Sequence, residues 1–206
     1  MKVGIVLTGA SWGQAVGTAR ANRDWALTKD NIKQQLINSI PHTGVYLTTY
    51  PHPTVPEMIE HYSPAKTVLV PYKGSQMRTT YRRSMEELIY EDLDFIIATR
   101  FDIHFNTPVN TWNIDYNKFN FIFREVEPYW TNDRFVGDAF YAFPKKYLTQ
   151  FIESINREHL APYRDNPDMH PMYRHVSQRI GEWNTNFIFE GCHNSNGNPF
   201  YTLVRS

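Results

Sequence analysis

Apolar and polar positions alternate along the first hundred residues in a way that predicts four strands separated by helices. Short apolar runs at residues 3–7, 44–49, 67–70 and 94–99 predict the strands. Apolar side chains at helical spacing over residues 30–40 and 75–93 predict two amphipathic helices. Strands that alternate with helices build a mostly parallel sheet covered by helices on both faces, so we predict an α/β protein.

The second half of the chain has a less regular pattern. Further strands are predicted at residues 119–123, 139–143, 186–189 and 200–204, and residues 129–137 are predicted to form a polar and aromatic loop. Pro144 is expected to begin a helix that continues to about Ile155, because proline suits the first helical position. A helix over residues 167–180 is expected to be interrupted by Pro171.

The composition describes a neutral protein with enough apolar side chains to build a core. Hydrophobic residues make up 41% and aromatic residues 15% of the 206 residues, and 21 basic side chains balance 21 acidic ones. Zero net charge argues against nucleic acid or an anionic membrane as a partner. The single cysteine, Cys192, excludes an intramolecular disulfide. The apolar run near the start is too short for a signal peptide or a membrane span.

These properties lead us to expect a soluble, cytoplasmic protein that neither binds nucleic acid nor inserts into membranes. An apolar segment, residues 200–204, lies two residues from the end of the chain, with no long polar tail after it. We therefore expect that it is one domain cut from a longer polypeptide.

Three polar side chains follow the fourth predicted strand at alternate positions, namely Arg100, Asp102 and His104. Side chains alternate across a strand, so these three are expected on one face. Ligands of open α/β sheets bind just beyond the carboxyl ends of the strands. A carboxylate beside a cation and an imidazole is suited to hold a divalent metal and a phosphate. The alternative is an ion pair that caps the strand.

The first strand runs into a glycine-rich turn, Thr8-Gly9-Ala10-Ser11-Trp12-Gly13. Such a turn lets backbone N–H groups approach a base, a ribose or a phosphate. Many α/β folds contain a tight turn of this kind without any ligand, so the turn alone is a weak signal.

The helix before the fourth strand carries a second group of candidate donor-binding residues, Gln76, Arg78, Tyr81 and Arg82. Residues 78, 81 and 82 share a helix face by their spacing. Arginine grips phosphate with two hydrogen bonds, and tyrosine can stack on a base. The alternative is a solvated basic face with Tyr81 in the core.

Two carboxylates, Asp133 and Asp138, lie in the loop before the 139–143 strand. A general base that deprotonates an acceptor hydroxyl must be a positioned carboxylate or histidine. Gly137 is expected to let the chain turn sharply and present Asp138. The alternative is an aspartate that caps a helix or a turn.

Aromatic side chains and one late histidine complete the candidates. Tyr129, Trp130 and Trp183 could form an apolar platform under a sugar ring. The alternative for all three is the core, which is the favoured position for Trp183. His193 follows a late strand in a loop rich in Gly and Asn, where a surface residue is commoner than a metal ligand.

A short-chain dehydrogenase is the competing enzyme class. Residues 8–13 resemble the opening of that family, and Tyr141 and Lys145 have the spacing of its Tyr-x-x-x-Lys pair. Pro144, however, is tolerated only in the first turn of a helix, which leaves Tyr141 outside it. Ala15 also stands where the fingerprint needs its last glycine.

With these residues in view, the whole chain resembles GT-A glycosyltransferases. More narrowly, it resembles the small glycosyltransferase domain at the N-terminus of a large protein encoded by chlorella viruses. The resemblance depends on residues 3–11, Arg100-Phe101-Asp102 and Gly137-Asp138-Ala139-Phe140-Tyr141. It implies a single GT-A (Rossmann-like) catalytic domain, with a nucleotide-binding half at residues 1–105 and an acceptor-side half at 106–206. A viral origin would place the protein in the host cytoplasm.

The resemblance also implies a UDP-sugar donor, a glycan or glycoconjugate acceptor, and Mn or Mg as cofactor. The metal-binding Asp-x-Asp of the family is reduced here to Asp102, since Arg100 replaces the first aspartate. His193 matches a late histidine that often completes the metal shell. The general base of an inverting enzyme maps onto Asp138, with Asp133 second. The implied uridine pocket comprises Thr8, Gly9, Ala10, Tyr50 and Arg78. A noncatalytic nucleotide- or glycan-binding module stays open as an alternative.

Overall fold

The computed structural model describes residues 1–10, 12–14, 22–71, 77–155 and 169–204. Several positions used above lie outside the described residues, namely Ser11, Ala15, Ser75, Gln76 and Pro167. No helix in the described part of the chain has the length and apolar character needed to cross a bilayer.

Short strands and helices alternate along the chain. The described strands are β1 (Val3–Thr8), β2 (Trp12–Gln14), β3 (Asn22–Asp24), β4 (Gly44–Thr49), β5 (Lys66–Leu69), β6 (Phe95–Arg100), β7 (Ile103–Phe105), β8 (Phe119–Phe121), β9 (Arg124–Glu125), β10 (Phe140–Pro144), β11 (Thr185–Phe187), β12 (Cys192–His193) and β13 (Tyr201–Leu203). The described α-helices are α1 (Lys29–Ile32), α2 (Val55–Tyr62), α3 (Met77–Glu87), α4 (Tyr129–Asp133), α5 (Leu148–Ile155) and α6 (Met172–Ile180).

Seven of these strands form a central sheet in the order β11-β8-β10-β6-β1-β4-β5. The strands β6, β1, β4 and β5 are parallel, as are β8 and β11, whereas β10 is antiparallel to both of its neighbours. The chain leaves β1 towards β4 and β5 and then returns to β6 on the other side of β1. The prediction of a mostly parallel α/β sheet is confirmed.

The sheet is buried on both faces. In β1, Ile5 and Leu7 belong to one core cluster, while Val6 lies on the other face with Ile96 and Ala98 of β6. The helix α3 covers the second face, and α1 with its continuation covers the first. Full burial of such an aliphatic side chain contributes about 1.5–3 kcal/mol, which explains why these strands carry uninterrupted apolar runs.

Two helices have different boundaries from those that the spacing of apolar residues predicts. The helix expected at 30–40 is α1, which continues as a π-helical turn over Lys33–Ile37. The helix expected to run to residue 93 ends as α3 at Glu87, because the side chain of Lys145 donates hydrogen bonds to the carbonyl oxygens of Leu88, Ile89 and Glu91. A cation at this position satisfies carbonyl groups that the end of a helix leaves unpaired.

Other differences are confined to the connections. The helix expected from Pro144 begins with a 3₁₀ turn, Lys145–Tyr147, before α5. The loop expected at 129–137 contains α4. The helix α2 and five short strands, β2, β3, β7, β9 and β12, were not predicted, whereas β13 lies within the strand expected at 200–204. These six short strands pair in twos, β2 with β3, β12 with β9 and β13 with β7, outside the central sheet.

Candidate active site

The structure forms a crevice at the carboxyl ends of β1 and β6, where the order of strands reverses. Doubly wound sheets bind their ligands at such a switch point. The crevice has a volume of about 280 Å³, counting the part open to solvent. It is lined by Thr8, Gly9, Ala10, Tyr50, Met77, Thr80, Arg100, Phe101 and Asp102. Six of the predicted donor-binding residues are therefore brought together, from three different segments.

The turn after β1 is fixed by hydrogen bonds to neighbouring elements. The hydroxyl of Ser84 on α3 donates to Thr8 Oγ1 at 3.0 Å, and the amide of Gly9 donates to the carbonyl of Thr48 at 3.2 Å. Gly9 has a φ of 122°, a backbone conformation that favours glycine over residues with a Cβ. Because Gly9 has no side chain, a ligand in the crevice could approach its backbone closely.

A buried cluster of charges lies beside this turn. Arg100 binds Asp102 through two hydrogen bonds, from Nε to Oδ1 at 2.7 Å and from Nη2 to Oδ2 at 2.5 Å. Its third nitrogen, Nη1, donates to Asp138 Oδ1 at 3.1 Å. The exposed fractions of Arg100, Asp102 and Asp138 are only 4%, 4% and 3%. Charged side chains this deeply buried need partners, and here one guanidinium serves two carboxylates.

The neighbouring carboxylates keep Arg100 positively charged although it is buried. Burial alone would lower the pKa of this guanidinium, but the carboxylates of Asp102 and Asp138 outweigh burial and raise the pKa well above its ordinary value. Arg100 is therefore a permanent cation, and it balances one of the two negative charges that it holds in place.

Asp138 reaches Arg100 because β10 runs antiparallel to β6. Phe140 lies opposite Thr99 in the register of this pair, so the residues before Phe140 lie beyond the end of β6. The hydroxyl of Thr99 donates to the carbonyl of Ala139 at 3.0 Å and fixes this junction. The start of one strand and the end of another thus meet at the same edge of the sheet.

Gly137 is needed for close packing rather than for a sharp turn. Its φ lies outside the left-handed region, so the expected turn is not the reason for glycine here. A Cβ at this position would lie 2.6 Å from Ile122 Cγ2 and 2.9 Å from two ring carbons of Phe123. The chain can enter β10 beside these side chains only because residue 137 has no side chain of its own.

The variant Gly137→Ala should therefore lose stability, by roughly 1–3 kcal/mol for an overpacked core. Urea denaturation followed by circular dichroism measures this loss. A matched control is Gly197→Ala, since a Cβ at residue 197 meets no atom within 4 Å. Equal stability of the two variants would contradict the close approach described here.

Three further polar side chains form a chain of contacts that begins at Asp138, and the sequence did not indicate them as a group. His170 Nε2 lies 3.7 Å from Asp138 Oδ2, and His170 Nδ1 lies 3.6 Å from Glu125 Oε1 and 2.8 Å from the carbonyl of Val136. The hydroxyl of Ser195 donates to the buried carboxylate of Glu125. These residues come from separate segments with no characteristic spacing, so only the fold shows that they belong together.

Two predicted histidines lie in other surroundings. His104 is exposed on β7, opposite Thr202, whereas Arg100 and Asp102 are buried, so the expectation that the three share one face is wrong. The reason is that β6 ends at Arg100 and the chain turns before β7 begins. The ring of His193 packs edge-on against Phe123 and Phe200, and its Nε2 lies 2.8 Å from the carbonyl of Glu190.

The donor set around Asp102 does not fit a divalent metal as the side chains stand. Both carboxylate oxygens of Asp102 already accept hydrogen bonds from Arg100, so a metal ion would have to displace a guanidinium. No group of three His, Cys, Asp or Glu side chains in the described residues is placed to hold a metal ion. Dependence on Mn or Mg stays a prediction.

The remaining candidates on α3 and α4 lie in contrasting environments. Tyr81 is fully buried, packs edge-on against Tyr141, and directs its hydroxyl to the carbonyl of Asp138 at 3.5 Å, which favours the core alternative. Arg82 Nε pairs with Glu86 Oε1 at 2.7 Å on the surface of α3. Arg78 is half-buried in the first turn of α3, and Asp133 is half-buried at the end of α4.

Tyr141 and Lys145 do not form the pair that a dehydrogenase needs. Tyr141 lies in β10, fully buried, with its hydroxyl donating to the carbonyl of Met169 at 3.1 Å. Lys145 instead donates to the carbonyl groups that follow α3. Because these two side chains serve separate structural purposes, the structure argues against the dehydrogenase alternative.

The predicted burial of Trp183 is wrong. This side chain is 78% exposed, in a 3₁₀ turn that follows α6. Tyr129 is half-exposed, and Trp130 is partly buried against the second core cluster. The aromatic side chains of the second half thus include one large, outward-facing ring that hydrophobicity alone places inside.

The fold and the position of the crevice define a Rossmann-like, doubly wound α/β protein. No known family profile and no curated protein sequence matches the chain. Solved structures do match. A nucleotidyl transferase from Methanothermobacter thermautotroptrophicus has a TM-score of 0.56 at 11% identity, over 93% of this chain and 88% of that one.

Two other solved structures share the fold over nearly their whole length. The nucleoside-diphosphate-sugar pyrophosphorylase from Vibrio cholerae has a TM-score of 0.54 at 12% identity, over 93% of this chain and 92% of that one. A CMP:2-keto-3-deoxy-manno-octonic acid synthetase complexed with CTP has a TM-score of 0.52 at 11% identity, over 97% and 94%. At these identities the similarity shows the fold alone. The relation to a chlorella-virus protein therefore stays a prediction.

Proposed function

We propose that the protein is a glycosyltransferase that moves a sugar from a nucleotide-diphosphate donor, UDP-linked, to a hydroxyl group of a glycan acceptor. The observation that carries this proposal is the convergence of the Gly9 turn and the Arg100 cluster at one switch-point crevice. Support also comes from the fold, which is shared with proteins named for reactions of nucleotides and nucleotide sugars.

The donor would bind along the edge of the sheet. The backbone at Gly9 and Ala10 and the ring of Tyr50 line the side of the crevice expected to hold the uridine. The diphosphate would lie towards Arg78 at the start of α3, which would supply positive charge as the leaving group departs, whereas the charge of Arg100 is already paired with Asp102 and Asp138. Stabilisation of developing charge by such fixed groups is usually the largest catalytic contribution.

Asp138 would act as the base for the acceptor hydroxyl. Arg100 holds Asp138 Oδ1, so the second oxygen, Oδ2, is the atom that would accept the proton. The guanidinium also bridges the carboxylates of Asp138 and Asp102 and so fixes the position of the proposed base. Only 3% of Asp138 is exposed, so the proposal requires the crevice to widen when both substrates bind.

A nucleotidyltransferase is the second candidate, because the solved structures with this fold include a nucleotidyl transferase and a pyrophosphorylase. Such an enzyme would take a nucleoside triphosphate and a sugar phosphate and release pyrophosphate. A glycosyltransferase would instead take a nucleotide sugar and release a nucleoside diphosphate. The released product therefore separates the two candidates directly.

We expect UDP and at least one UDP-sugar to raise the melting temperature. A ligand at a hundred times its Kd stabilises the folded state by about 2.7 kcal/mol. For a chain of this size that corresponds to a shift of roughly 5–10 °C. The panel comprises UDP, UDP-sugars, UTP and NAD(P), each measured with Mn and with a chelator. A shift that persists in chelator would contradict the predicted need for a metal in donor binding.

Product analysis completes the experiment. UDP release that depends on a glycan acceptor supports the transferase, and pyrophosphate release from UTP with a sugar phosphate supports the second candidate. Donor binding without either product would indicate a noncatalytic module. Stabilisation by NAD(P) alone would overturn the proposal.

A further inference from the structure

A second, larger cleft lies along the edge strand β11 and the turn after α6. It is open to solvent and has a volume of about 1140 Å³ including that open space. Its lining includes Arg124, Glu182, Trp183, Asn186, Phe187 and Glu190. This cleft shares no lining residue with the crevice at the Gly9 turn.

Trp183 is held in the cleft in a defined position although it is 78% exposed. Its indole ring lies against Gly181, where an added Cβ would come within 2.6 Å of Cζ2 and 2.7 Å of Cε2. Gly181 also has a φ of 85°, so glycine is favoured there both by the backbone and by the ring. Trp183 shares this cleft with Tyr173 and Phe187, so the exposed indole belongs to an aromatic group and is not a single scattered surface residue.

The rest of the cleft combines an aromatic floor with polar groups. The guanidinium of Arg124 lies 4.2 Å from the ring centre of Phe187, and Tyr173 packs on the same ring at 5.3 Å between centres. Asn186 belongs to the edge strand, and Glu182 and Glu190 supply carboxylates at the rim. Aromatic rings with a few placed hydrogen-bonding groups suit a ligand that has both C–H faces and hydroxyl groups.

The charges of the cleft favour a neutral ligand. Two carboxylates, on Glu182 and Glu190, outnumber the single guanidinium of Arg124 among the charged lining residues. A like charge brought against such carboxylates is penalised, which disfavours nucleotides and acidic sugars. A neutral pyranose ring suits both the charge and the aromatic lining of the cleft. Its C–H face can stack on indole, and its hydroxyl groups can exchange hydrogen bonds with amide and carboxylate groups.

The cleft adjoins the cluster around Asp138 through β9. Arg124 and Glu125 are consecutive in this strand, so their side chains project to opposite sides, Arg124 into the cleft and Glu125 towards His170 and Ser195. We propose that the cleft binds a neutral, pyranose-containing glycan, with Trp183 as its stacking platform. On the basis of the proposed function, this glycan is the acceptor, anchored one strand away from the base.

Glycan binding can be measured without any donor. The probes are short neutral oligosaccharides of gluco, galacto and manno configuration, with a sialylated oligosaccharide as the anionic comparison. We expect the intact protein to bind at least one neutral probe by titration calorimetry and to prefer it to the sialylated one. We expect Trp183→Ala to weaken this binding roughly tenfold or more, and Trp183→Phe to weaken it less. The matched control is Tyr90→Ala, because Tyr90 is an aromatic residue that is 94% exposed and lies outside the cleft.

Two results would overturn the proposal. One is the failure of every neutral probe to bind, or preferential binding of the sialylated probe. The other is binding by Trp183→Ala that equals binding by the intact protein. Glycan binding that requires Trp183 supports the cleft even if UDP-sugars do not bind at all. In that case only the proposed transferase activity fails.

Discussion

The variant Asp138→Asn should lower sugar transfer by roughly a hundredfold or more, which is the usual contribution of a general base. An asparagine oxygen can still accept the hydrogen bond from Arg100 Nη1, so the local packing is preserved. The amide cannot take up the proton of the acceptor hydroxyl. Binding of the nucleotide-sugar donor, measured by thermal shift, should therefore remain close to that of the unmodified protein.

The same chemical change at the surface gives the control for this experiment. Asp92→Asn removes a carboxylate that pairs with Lys2 and whose side chain is 84% exposed. Its turnover should match that of the unmodified protein. Normal turnover by Asp138→Asn would show that another group is the base. Loss of donor binding in that variant would show that Asp138 organises the crevice and is not specific to the acceptor step.

The variant Arg100→Met should lose roughly 3–5 kcal/mol of stability, as expected when one partner of a buried ion pair is removed. Methionine fills much of the space but leaves Asp102 and Asp138 without their cation. For a chain of this length such a loss lowers the melting temperature by about 10 °C. Denaturation in urea, followed by circular dichroism, is the measurement.

Two other substitutions test the stability loss expected for Arg100→Met. Arg100→Lys retains the charge but not the paired hydrogen bonds, so it should lose less than Arg100→Met. Arg82→Met removes an arginine from a surface pair with Glu86 and should cost less than about 1 kcal/mol. A loss at Arg100 as small as that at Arg82 would contradict a buried, mutually dependent cluster.

The sequence predicted the first half of the fold well, because its strands are buried on both faces. The run Phe95–Arg100 is apolar on every side until the polar end, and β4 begins and ends at the predicted residues. Signals of this kind need only local spacing. The short strands β9 and β12 have two residues each, too few to show any period, and they are determined by contacts distant in the chain.

The candidate site was predicted in parts but not as a whole. Arg100 and Asp102 lie two residues apart, so both the ion pair and the metal site were open alternatives, and the structure contains the ion pair. No local pattern indicated that β10 is antiparallel, and this direction brings Asp138 to the same guanidinium. It assigned Asp138 to a separate acceptor side, whereas the folded chain has one shared cluster.

The prediction that Trp183 lies in the core was wrong for a physical reason. Indole is large and apolar, so it is usually buried, and only the adjoining Gly181 shows that the ring is seated on backbone at the surface. His170 illustrates the opposite problem, since a lone histidine has no spacing to interpret. Its neighbours Glu125 and Asp138 are 45 and 32 residues away in the chain.

The reversed direction of β10 has a consequence for how such a protein can change over evolution. Since β8 ends and β10 begins at the ligand-bearing edge, residues 122–139 leave and re-enter the sheet on the same side. This single excursion carries α4, Glu125 and Asp138. Insertions or deletions within it would alter the surroundings of the Asp138 cluster while the seven-stranded sheet persists, so this excursion is a place where related proteins can diverge.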